Sequence, residues 1–459
     1  MIQGYNVHHT KTRVYSERTL QEEKYMTKNV SIGLLGLGVV GSGVIHIIQH
    51  HQDKLSQQLG CEVSIKRILV SDLEKERPEE IDRSLLTTEP NEVLDDADID
   101  IIVEVMGGLE DSYHYILQAL RNKKHVVTAN KDLIALHGVQ LLETAKQNGC
   151  DLFYEASVAG GIPILRSLTD GLAADRIQRI MGIVNGTTNY ILTKMEQESI
   201  TFDEALQEAQ ELGFAEADPT ADVEGLDAAR KMVILARLAF STKVELDSVD
   251  VKGISNISLK DLQYGNQLGY NMKLIGIAQN DHDKSLEVSV QPTFISQEHP
   301  LAGVKDEYNA IFINGEAVGE TMFYGPGAGS LPTATAVMSD VVTVIKNMQS
   351  EANSRDIYTP TQSIPIAQPE ESFSKYYIRL HAHDEVGAFA SISQLFNNMD
   401  ISFEQILQTP SEQHKIAEIV LITHRTSAET FNQALEKLKT INVVKNIQSY
   451  FHVEGDAKQ

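Results

Sequence analysis

The residues best suited to chemistry lie in one short stretch of the chain, EADPTADVEGLDAARK, which runs from Glu216 to Lys231. It contains five carboxylates, ends on two bases and is followed directly by the apolar run MVILARLAF. Asp227 and Lys231 stand four residues apart, so a helix would place both on one face. On a solvated helix face this pair would contribute only a few tenths of a kcal/mol and have no further role.

The apolar run after this stretch favours a catalytic interpretation instead. A helix that is nearly all apolar is expected to be buried, so its first turn should also face the protein interior. A lysine partly withdrawn from water in a cleft can exchange a proton with a carbonyl oxygen. Asp227 would then hold the Lys231 side chain in place, and a further carboxylate such as Glu216 would bind a cationic substrate amine.

A glycine-rich turn early in the chain predicts a dinucleotide-binding domain. Three glycines in NVSIGLLGLGVVGSGV have GxGxxG spacing, after a predicted strand and at the start of a predicted helix. Such glycines let the backbone turn tightly and approach a pyrophosphate at the helix N-terminus. The spacing also fits a simple packing turn, but the strand–turn–helix context favours NAD or NADP. The predicted cofactor-binding residues of this turn are Gly36, Leu37, Gly38, Val39, Val40 and Gly41.

The residues after the second predicted strand leave the choice between NAD and NADP open. An acidic residue at this point suits the ribose of NAD, whereas a nearby Arg or Lys accommodates the phosphate of NADP. The strand VSIKRILV is followed by Ser71 and Asp72, and then by Lys75 and Arg77. Lys75 and Arg77 are therefore candidate cofactor-binding residues, although the same charges also fit a solvated loop.

Strands and helices alternate up to about residue 155, which predicts a doubly wound, Rossmann-like α/β domain over 27–155. Lys131 and Glu155 lie at the carboxyl ends of two of these strands, where open α/β sheets bind ligands. From 156 to 324 the pattern changes to that of an α+β domain, with short strands near Val288 and Phe312. YGPGAGSLPTATAV then opens a long apolar helix that completes the first domain over about 325–348.

The carboxyl-terminal part has its own order of elements. A polar segment with three prolines, 349–372, is typical of a linker. Residues 373–453 then follow the order βαββαβ, which predicts a ferredoxin-like unit with a binding or regulatory role. Residues 1–26 are polar and are expected to form a leader without fixed structure, and Met26 as an alternative start is the other interpretation.

Composition limits the function classes. The formal net charge of −25 argues against binding to nucleic acid or to anionic membranes, because both require clustered Lys and Arg. No signal peptide is recognisable, and two cysteines in 459 residues cannot form a disulfide framework. A cytoplasmic location is therefore expected.

Six motifs occur along the chain: GLGVVGSGV, VTANKDLIA, FYEASVAGGIPI, VNGTTNYIL, GFAEADPTADVEGLDAARK and GPGAGSLPTATAV. Together they resemble the homoserine dehydrogenase family, and they occur in the order found in that family. The last part of the chain, with HDEVGAFASISQLFNNMDISFEQILQ and IVLITH, resembles the ACT domain that many monofunctional bacterial members carry. The resemblance implies NAD(P)-dependent interconversion of L-homoserine and L-aspartate 4-semialdehyde, in threonine, methionine and isoleucine biosynthesis.

The resemblance also implies roles for individual residues. Lys231 matches the lysine that transfers a proton, and Asp227 and Asp222 match carboxylates beside it. Glu216 matches a residue that contacts the substrate. Lys131 matches a second active-site lysine, near both the nicotinamide and the substrate.

Two further sites follow from the resemblance. One is a monovalent-cation site, usually for sodium, and oxygen ligands suit such a hard cation. The other is a glycine loop, Gly325 and Gly327, that closes against the cofactor. One departure is Ser71, where many members have an arginine, and this departure weakens the expectation of NADP. The residues that match the cation site are Glu155, Val158, Gly160 and Ile162.

The ACT segment is expected to bind an amino-acid effector such as threonine at the loop with Asp384, Glu385 and Gly387, where backbone N–H groups are available. A module that only forms dimers is the alternative. The family predicts a homodimer, which ACT pairing would extend to a homotetramer. Two other functions stay open: a Rossmann oxidoreductase for another amino-acid aldehyde, and a catalytically inactive amino-acid sensor.

Overall fold

The computed structural model describes residues 29–77, 81–280, 284–353, 363–410 and 415–455. The predicted leader lies outside the described residues, as does the middle of the predicted linker. The chain divides into two compact units. Unit 1 contains the chain up to Leu133, Gln140–Ala156 and the segment that begins at Gly329. Unit 2 contains Ile134–Val139, Ser157–Ala328 and the carboxyl-terminal part of the chain.

The strands are numbered in chain order. They are β1 (Val30–Leu35), β2 (Val63–Leu69), β3 (Leu86–Thr87), β4 (Ile101–Glu104), β5 (His125–Thr128), β6 (Leu152–Phe153), β7 (Ile177–Ile183), β8 (Asp250–Val251), β9 (Tyr270–Asn280), β10 (Leu286–Ser296), β11 (Tyr308–Gly315), β12 (Gly319–Pro326), β13 (Phe373–His383), β14 (Phe403–Pro410), β15 (Ile416–Thr423), β16 (Thr426–Ser427) and β17 (Val444–Glu454).

The α-helices are numbered in the same way. They are α1 (Val39–His50), α2 (Gln52–Leu59), α3 (Asn91–Leu94), α4 (Glu110–Arg121), α5 (Lys131–Asn148), α6 (Ile164–Arg166), α7 (Gly186–Glu198), α8 (Phe202–Glu211), α9 (Thr220–Val223), α10 (Leu226–Phe240), α11 (Leu259–Gln267), α12 (Ser330–Gln349), α13 (Ala388–Asn397) and α14 (Ala428–Leu438). In the described part of the chain, none of them is both long and apolar enough to cross a membrane.

Unit 1 is built on a parallel sheet with the strand order β3-β2-β1-β4-β5-β6. Every residue of β4 is buried, as expected for a strand covered on both faces. The late helix α12 packs on α1, and Gly43 permits this close approach, because a Cβ there would lie 2.6 Å from the Ser330 carbonyl oxygen. The predicted doubly wound α/β fold is thus confirmed.

Unit 2 contains one mixed sheet whose main strand order is β12-β11-β7-β9-β10-β17-β13-β15-β14. The last four strands, with α13 and α14, form the predicted ferredoxin-like unit and pair antiparallel. The strands predicted near Val288 and Phe312 are longer than expected, and the sequence analysis did not identify β9 and β12. The domain boundaries proposed from the sequence stay a prediction.

The ferredoxin-like unit continues the sheet of the preceding part of unit 2. Strands β10 and β17 pair in parallel, with Thr293 opposite His452 and Ile295 opposite Glu454. A row of backbone hydrogen bonds therefore joins the two parts, in addition to side-chain packing. The sequence gives no sign of this pairing, because nearly 160 residues separate the two strands, as the numbers of Thr293 and His452 show.

A buried group of charges crosses the same junction. The Arg379 guanidinium on β13 donates to Asp261 Oδ1 on α11 at 2.7 Å and to Glu418 Oε1 on β15 at 2.8 Å. Asp261 also forms a capping box with Ser258 at the start of α11. All three ionic side chains are less than 10% exposed, at 7%, 1% and 3% for Arg379, Asp261 and Glu418. The two carboxylates thus depend on one guanidinium for their main charge compensation.

We predict that Arg379→Met destabilises the protein by roughly 3–5 kcal/mol, because it leaves two buried carboxylates without their cation. Urea unfolding at neutral pH measures this loss. Lys437→Met, which removes an exposed cation from α14, is the control and should change the free energy of unfolding little. A loss for Arg379→Met no larger than that of the control would contradict this account of the junction.

Candidate active site

The helix that follows the acidic run is buried, as predicted. Helix α10 has three fully buried side chains within one stretch, those of Met232, Val233 and Leu235. Gly225 precedes the helix in the left-handed conformation, with φ of 80°, and lets the chain turn sharply into it. Asp227 lies in the first helical turn, where the helix dipole favours a negative charge. The acidic run therefore enters the interior of unit 2.

Lys231 makes two hydrogen bonds that fix its ammonium group. Its Nζ lies 2.7 Å from Asp227 Oδ2 on the same helix and 2.7 Å from the Val184 carbonyl oxygen, just after β7. An ammonium has three N–H donors, so these contacts leave one donor without a partner among the described residues. The side chain is 13% exposed, which places that donor at the edge of the interior, where a small molecule can reach it.

Asn185, at the start of α7, holds two carboxylates of the acidic run together. Its Nδ2 donates to Asp222 Oδ1 at 2.7 Å and to Asp227 Oδ2 at 2.8 Å. Its Oδ1 caps α7 by accepting from the backbone N–H of Thr188 at 2.9 Å. Because the oxygen must cap the helix, the amide nitrogen has to face the two aspartates. No role was predicted for this asparagine of VNGTTNYIL, although its position before a predicted helix fits an N-cap.

The Asp222 carboxyl is partly withdrawn from water. Burial raises its pKa, and the neighbouring Asp227 charge adds to this, while the hydrogen bond from Asn185 and the charge of Lys231 act in the opposite direction. Asp222 lies next to Val223 at the end of α9, only a few residues before α10. The structure therefore brings Lys231, Asp227 and Asp222 into one hydrogen-bonded group, with Asn185 at its centre.

Glu216 is placed differently from these three residues. Its side chain is exposed, and its backbone carbonyl oxygen accepts from Gln210 Nε2 at 3.0 Å. In the part of the chain that the structure describes, no hydrogen bond joins its carboxylate to Lys231 or to either aspartate. Its predicted contact with the substrate stays a prediction.

The glycine turn of unit 1 has the form that a dinucleotide needs. Gly36 has φ of +100°, and a Cβ there would lie 2.6 Å from the Met106 backbone. A Cβ on Gly41 would lie 2.4 Å from the Gly36 carbonyl oxygen, whereas Gly38 has no heavy atom within 4 Å of such a Cβ. Gly38 is also the N-cap of α1 and provides no side-chain cap. The open N-terminus of α1 therefore fits a pyrophosphate.

A buried carboxyl that the sequence analysis missed shapes the neighbouring turn. Glu104, at the end of β4, accepts hydrogen bonds from the backbone N–H groups of Met106 and Gly107 and from the Thr128 hydroxyl. Its side chain is fully buried, and burial raises its pKa. The position at a strand end in IDIIVEV was the available signal. Glu104 thereby fixes the Met106 backbone that packs on Gly36.

The loop after β2 is organised by Arg77. Its guanidinium donates to the carbonyl oxygens of Asp72 and Lys75, at 2.5 Å and 3.0 Å. Asp72 Oδ1 accepts from the backbone N–H of Glu74 at 2.8 Å. Lys75 is exposed. Arg77 is thus occupied by its own loop, while Lys75 is accessible, and the choice between NAD and NADP stays open.

Lys131 and the predicted cation ligands lie at the expected strand ends. Lys131 is the first residue of α5, whose N-cap is the Asn130 side chain. Glu155 begins a 3₁₀ turn after β6 in unit 1. In unit 2, Gly160 has φ of +48°, and a Cβ there would lie 2.4 Å from the carbonyl oxygen of Gly327. The predicted cation loop and the predicted glycine loop therefore contact each other.

A further buried side chain lies against this glycine loop. Asn309 is 1% exposed, pairs with Gly325 between β11 and β12, and would contact a Cβ placed on Gly327. Among the described residues, neither its Oδ1 nor its Nδ2 has a hydrogen-bond partner. Val158 and Ile162 are buried as well, and the Ile162 carbonyl accepts from the Ile164 N–H. An unsatisfied amide beside backbone carbonyls fits a small cation with oxygen ligands.

The loop predicted to bind an effector is open to solvent. Asp384, Glu385 and Gly387 are all exposed, and the Val386 side chain is 106% exposed. Helix α13 begins directly after Gly387.

Comparisons with known proteins cover nearly the whole chain. A family model described as Homoserine dehydrogenase matches residues 163–342, and one described as Homoserine dehydrogenase, NAD binding domain, matches 36–155. An ACT domain model matches 376–442. A homoserine dehydrogenase of Bacillus subtilis (strain 168) is 55% identical over 430 residues, which cover 94% of this chain and 99% of that protein. The chain belongs to the homoserine dehydrogenase family.

More distant relatives support the assignment. The homoserine dehydrogenase of Lactococcus lactis is 39% identical over 93% of this chain and 100% of the relative. The crystal structure of a homoserine dehydrogenase from Thiobacillus denitrificans matches with a TM-score of 0.88 and 38% identity, covering 93% of this chain and 98% of that one. This member of the family is therefore an oxidoreductase with a nicotinamide cofactor, as the sequence predicted.

We predict that Asp222→Asn stabilises the protein at neutral pH while it lowers activity. Because burial raises the pKa of Asp222, the folded state binds more protons than the unfolded state between the two pKa values. The free energy of unfolding therefore falls as the pH rises through that window, and the carboxylate opposes folding above it. The asparagine should raise the Tm at pH 7, and the difference should vanish as the pH falls below about 4.

Thermal unfolding followed by circular dichroism at several pH values tests this. Asp170→Asn, which removes an exposed carboxylate, is the control and should leave the Tm unchanged. A Tm of Asp222→Asn below that of the unmodified protein at pH 7 would show that the Asp222 charge supports the fold.

Proposed function

We propose that this chain interconverts L-homoserine and L-aspartate 4-semialdehyde, with Lys231 as the residue that gives and takes the proton. The observation that carries this proposal is the Lys231 ammonium, which two hydrogen bonds hold in place while one N–H has no described partner. A positioned ammonium with one available donor is suited to a substrate oxygen that changes between carbonyl and hydroxyl.

The bound nicotinamide cofactor would supply the hydride that the aldehyde carbon receives. Lys231 donates its available proton to the oxygen of that aldehyde as negative charge develops on it. In the opposite direction Lys231 has to be neutral, so that it can accept the proton of the hydroxyl group. Its charge also stabilises the developing alkoxide, and a preorganised charge of this kind is often the largest contribution to catalysis.

The surrounding residues hold Lys231 in place and bind the substrate. Asp227 and the Val184 carbonyl fix the direction of the Lys231 N–H groups. Asp222 accepts a hydrogen bond from the Asn185 amide and so holds that amide where it also donates to Asp227. Glu216 would bind the substrate amine, and its exposed carboxylate is free of any described ion pair. Lys131 would be the second lysine that contacts substrate and cofactor, as the resemblance implies.

We propose that the glycine turn, Lys75 and Arg77 bind the cofactor, and that Arg77 also holds its own loop in place. For the cation site we propose sodium, and the unsatisfied Asn309 amide beside Gly327 supports a polar occupant there. We further propose a place in threonine, methionine and isoleucine biosynthesis, an amino-acid effector at the ACT unit, and a homodimer or homotetramer.

We predict that Lys231→Ala lowers the rate of NADPH or NADH oxidation with L-aspartate 4-semialdehyde by about 10²–10⁴-fold, because positioned acid–base groups contribute that much. Comparing the two cofactors in the same assay determines which one the enzyme prefers. Lys243→Met, an exposed lysine of unit 2, is the matched control.

Cofactor binding to Lys231→Ala, measured by fluorescence titration, should be unchanged. An unmodified enzyme without activity with either cofactor would refute the dehydrogenase function and favour the inactive sensor. If the Lys231→Ala variant is as fast as the control, another residue must transfer the proton, and Lys131 is the first candidate.

A further inference from the structure

A ring of hydrogen bonds joins two neighbouring strand ends of unit 1, and Glu104 lies at its centre. The strand order of the sheet in this unit reverses between β1 and β4. Open α/β sheets bind their ligands beside such a reversal, at the carboxyl ends of the strands. Glu104 is the last residue of β4 and pairs with Thr128, the last residue of β5. The ring therefore lies where the cofactor crevice is expected.

The Glu104 carboxylate holds the turn that follows β4. Its Oε1 accepts from the backbone N–H groups of Met106 and Gly107, at 3.0 Å and 3.2 Å. The Gly107 carbonyl oxygen accepts from the Ser112 hydroxyl at 2.8 Å. Met106 also packs on the glycine turn, since a Cβ on Gly36 would lie 2.6 Å from its Cα. The turn after β4 and the glycine turn thus form one surface.

The same carboxylate holds the start of α5 through Thr128. The Thr128 hydroxyl donates to Glu104 Oε2 at 2.5 Å and accepts from the Asn130 backbone N–H at 3.0 Å. The Asn130 side chain caps α5 through its Oδ1, and its Nδ2 donates to the Gly108 carbonyl oxygen at 2.7 Å. Lys131 is the next residue along the chain. Two links therefore fix its backbone relative to the turn after β4.

Glu104 is costly for the fold at this position. Its side chain is fully buried, and among the described residues it forms no ion pair with a lysine or an arginine. Burial raises the pKa of its carboxyl, and the hydrogen bonds around it act in the opposite direction. A buried charge without a partner of opposite sign destabilises a protein. Residues that are kept in spite of such a cost are typical of functional sites.

We propose that Glu104 is a positioning residue for the dehydrogenase reaction. It would hold the turn after β4 where that turn meets the cofactor. Through Thr128 and Asn130 it would also hold the start of α5, so that Lys131 keeps a fixed position relative to the cofactor. Glu104 and Thr128 are both fully buried, so they act through the groups that they hold. This inference rests on the proposed function, in which Lys131 contacts substrate and cofactor.

Thr128→Val tests the link to α5. Valine keeps the shape of threonine and removes the hydroxyl, while the two backbone hydrogen bonds to Glu104 stay in place. We expect kcat for L-homoserine oxidation to fall by about fivefold to fiftyfold, because a small misplacement of a group at the reacting centre is costly. The Kd of NADPH and of NADH, measured by fluorescence titration, should stay unchanged.

Two variants of Glu104 separate its two roles. Glu104→Ala releases the turn as well as α5, so it should weaken the Kd of the cofactor by about fivefold to fiftyfold and also lower kcat. Glu104→Gln keeps an oxygen for the two backbone N–H groups, but its amide nitrogen cannot accept the Thr128 proton. It should therefore bind the cofactor as the unmodified chain does and lose kcat as Thr128→Val does.

A double-mutant cycle with Lys131→Ala tests whether Thr128 acts through Lys131. If it does, Thr128→Val should lower kcat much less in the Lys131→Ala chain than in the unmodified chain. A merely structural role of Thr128 would lower kcat by the same factor in both chains.

Val63→Ala is the control for lost stability. Val63 is buried in unit 1 and is the first residue of β2, so it lies at the opposite end of the strands from the ring. The substitution should lower the Tm in thermal unfolding, because it leaves a cavity in the core. It should leave both kcat and the Kd of the cofactor unchanged. If Glu104→Ala does not fold, Thr128→Val and Glu104→Gln carry the test.

Three results would overturn the inference alone. They are a Thr128→Val variant as fast as Val63→Ala, an effect of Thr128→Val that is equal with and without Lys131, and a folded Glu104→Ala variant that binds the cofactor as tightly as Val63→Ala. An inactive unmodified enzyme, or a Lys131→Ala variant with full activity, would refute the proposed function together with this inference. These two results are read without any variant of Glu104 or Thr128.

Discussion

The whole site in unit 2 depends on the side-chain amide of Asn185. Two carboxylates, Asp222 and Asp227, converge beside one ammonium, and their mutual repulsion would separate them without a donor between them. The amide nitrogen of Asn185 supplies that donor to both. Its direction is fixed from the other side, because its oxygen caps α7. Asn185 therefore caps α7 and at the same time positions Asp227, the carboxylate that holds Lys231 on α10.

A second constraint joins the ferredoxin-like unit to the rest of unit 2. Strands β10 and β17 are joined by backbone pairing. The two buried ion pairs of Arg379, with Asp261 and with Glu418, lie at the same junction. A buried ionic group is costly unless each member keeps its partners, so it favours one arrangement of the junction over others.

Most of the fold could be predicted from the sequence because its signals are local. The glycine spacing over Gly36–Gly41, with a strand before it and a helix after it, predicted the Rossmann-like domain. The order of elements after residue 373 predicted the ferredoxin-like unit. The capping box of α8 is local in the same way, because Thr201 and Glu204 stand three residues apart. The pairing of β10 with β17 was not predictable, since contacts between distant strands leave no pattern in either one.

In the candidate site, too, local features could be predicted from the sequence and contacts between distant residues could not. Asp227 and Lys231 could be joined from their spacing on one helix, and the buried run after them indicated an internal position. Asn185 and Glu104 were missed, because a cap or a strand-end carboxyl shows its second partner only when the chain is folded. Arg77 donates to carbonyl oxygens of its own loop, which its position after β2 does not reveal, and its predicted contact with the cofactor stays a prediction.

The most direct test of the account is the pH dependence of L-homoserine oxidation by the unmodified enzyme and by Lys231→Ala. A neutral Lys231 is required to accept the hydroxyl proton, so kcat should rise into the alkaline range for the unmodified enzyme. The same rise should be absent from the residual rate of Lys231→Ala. A flat profile for the unmodified enzyme, or the same rise in both proteins, would contradict the role of Lys231 as the group that exchanges the proton.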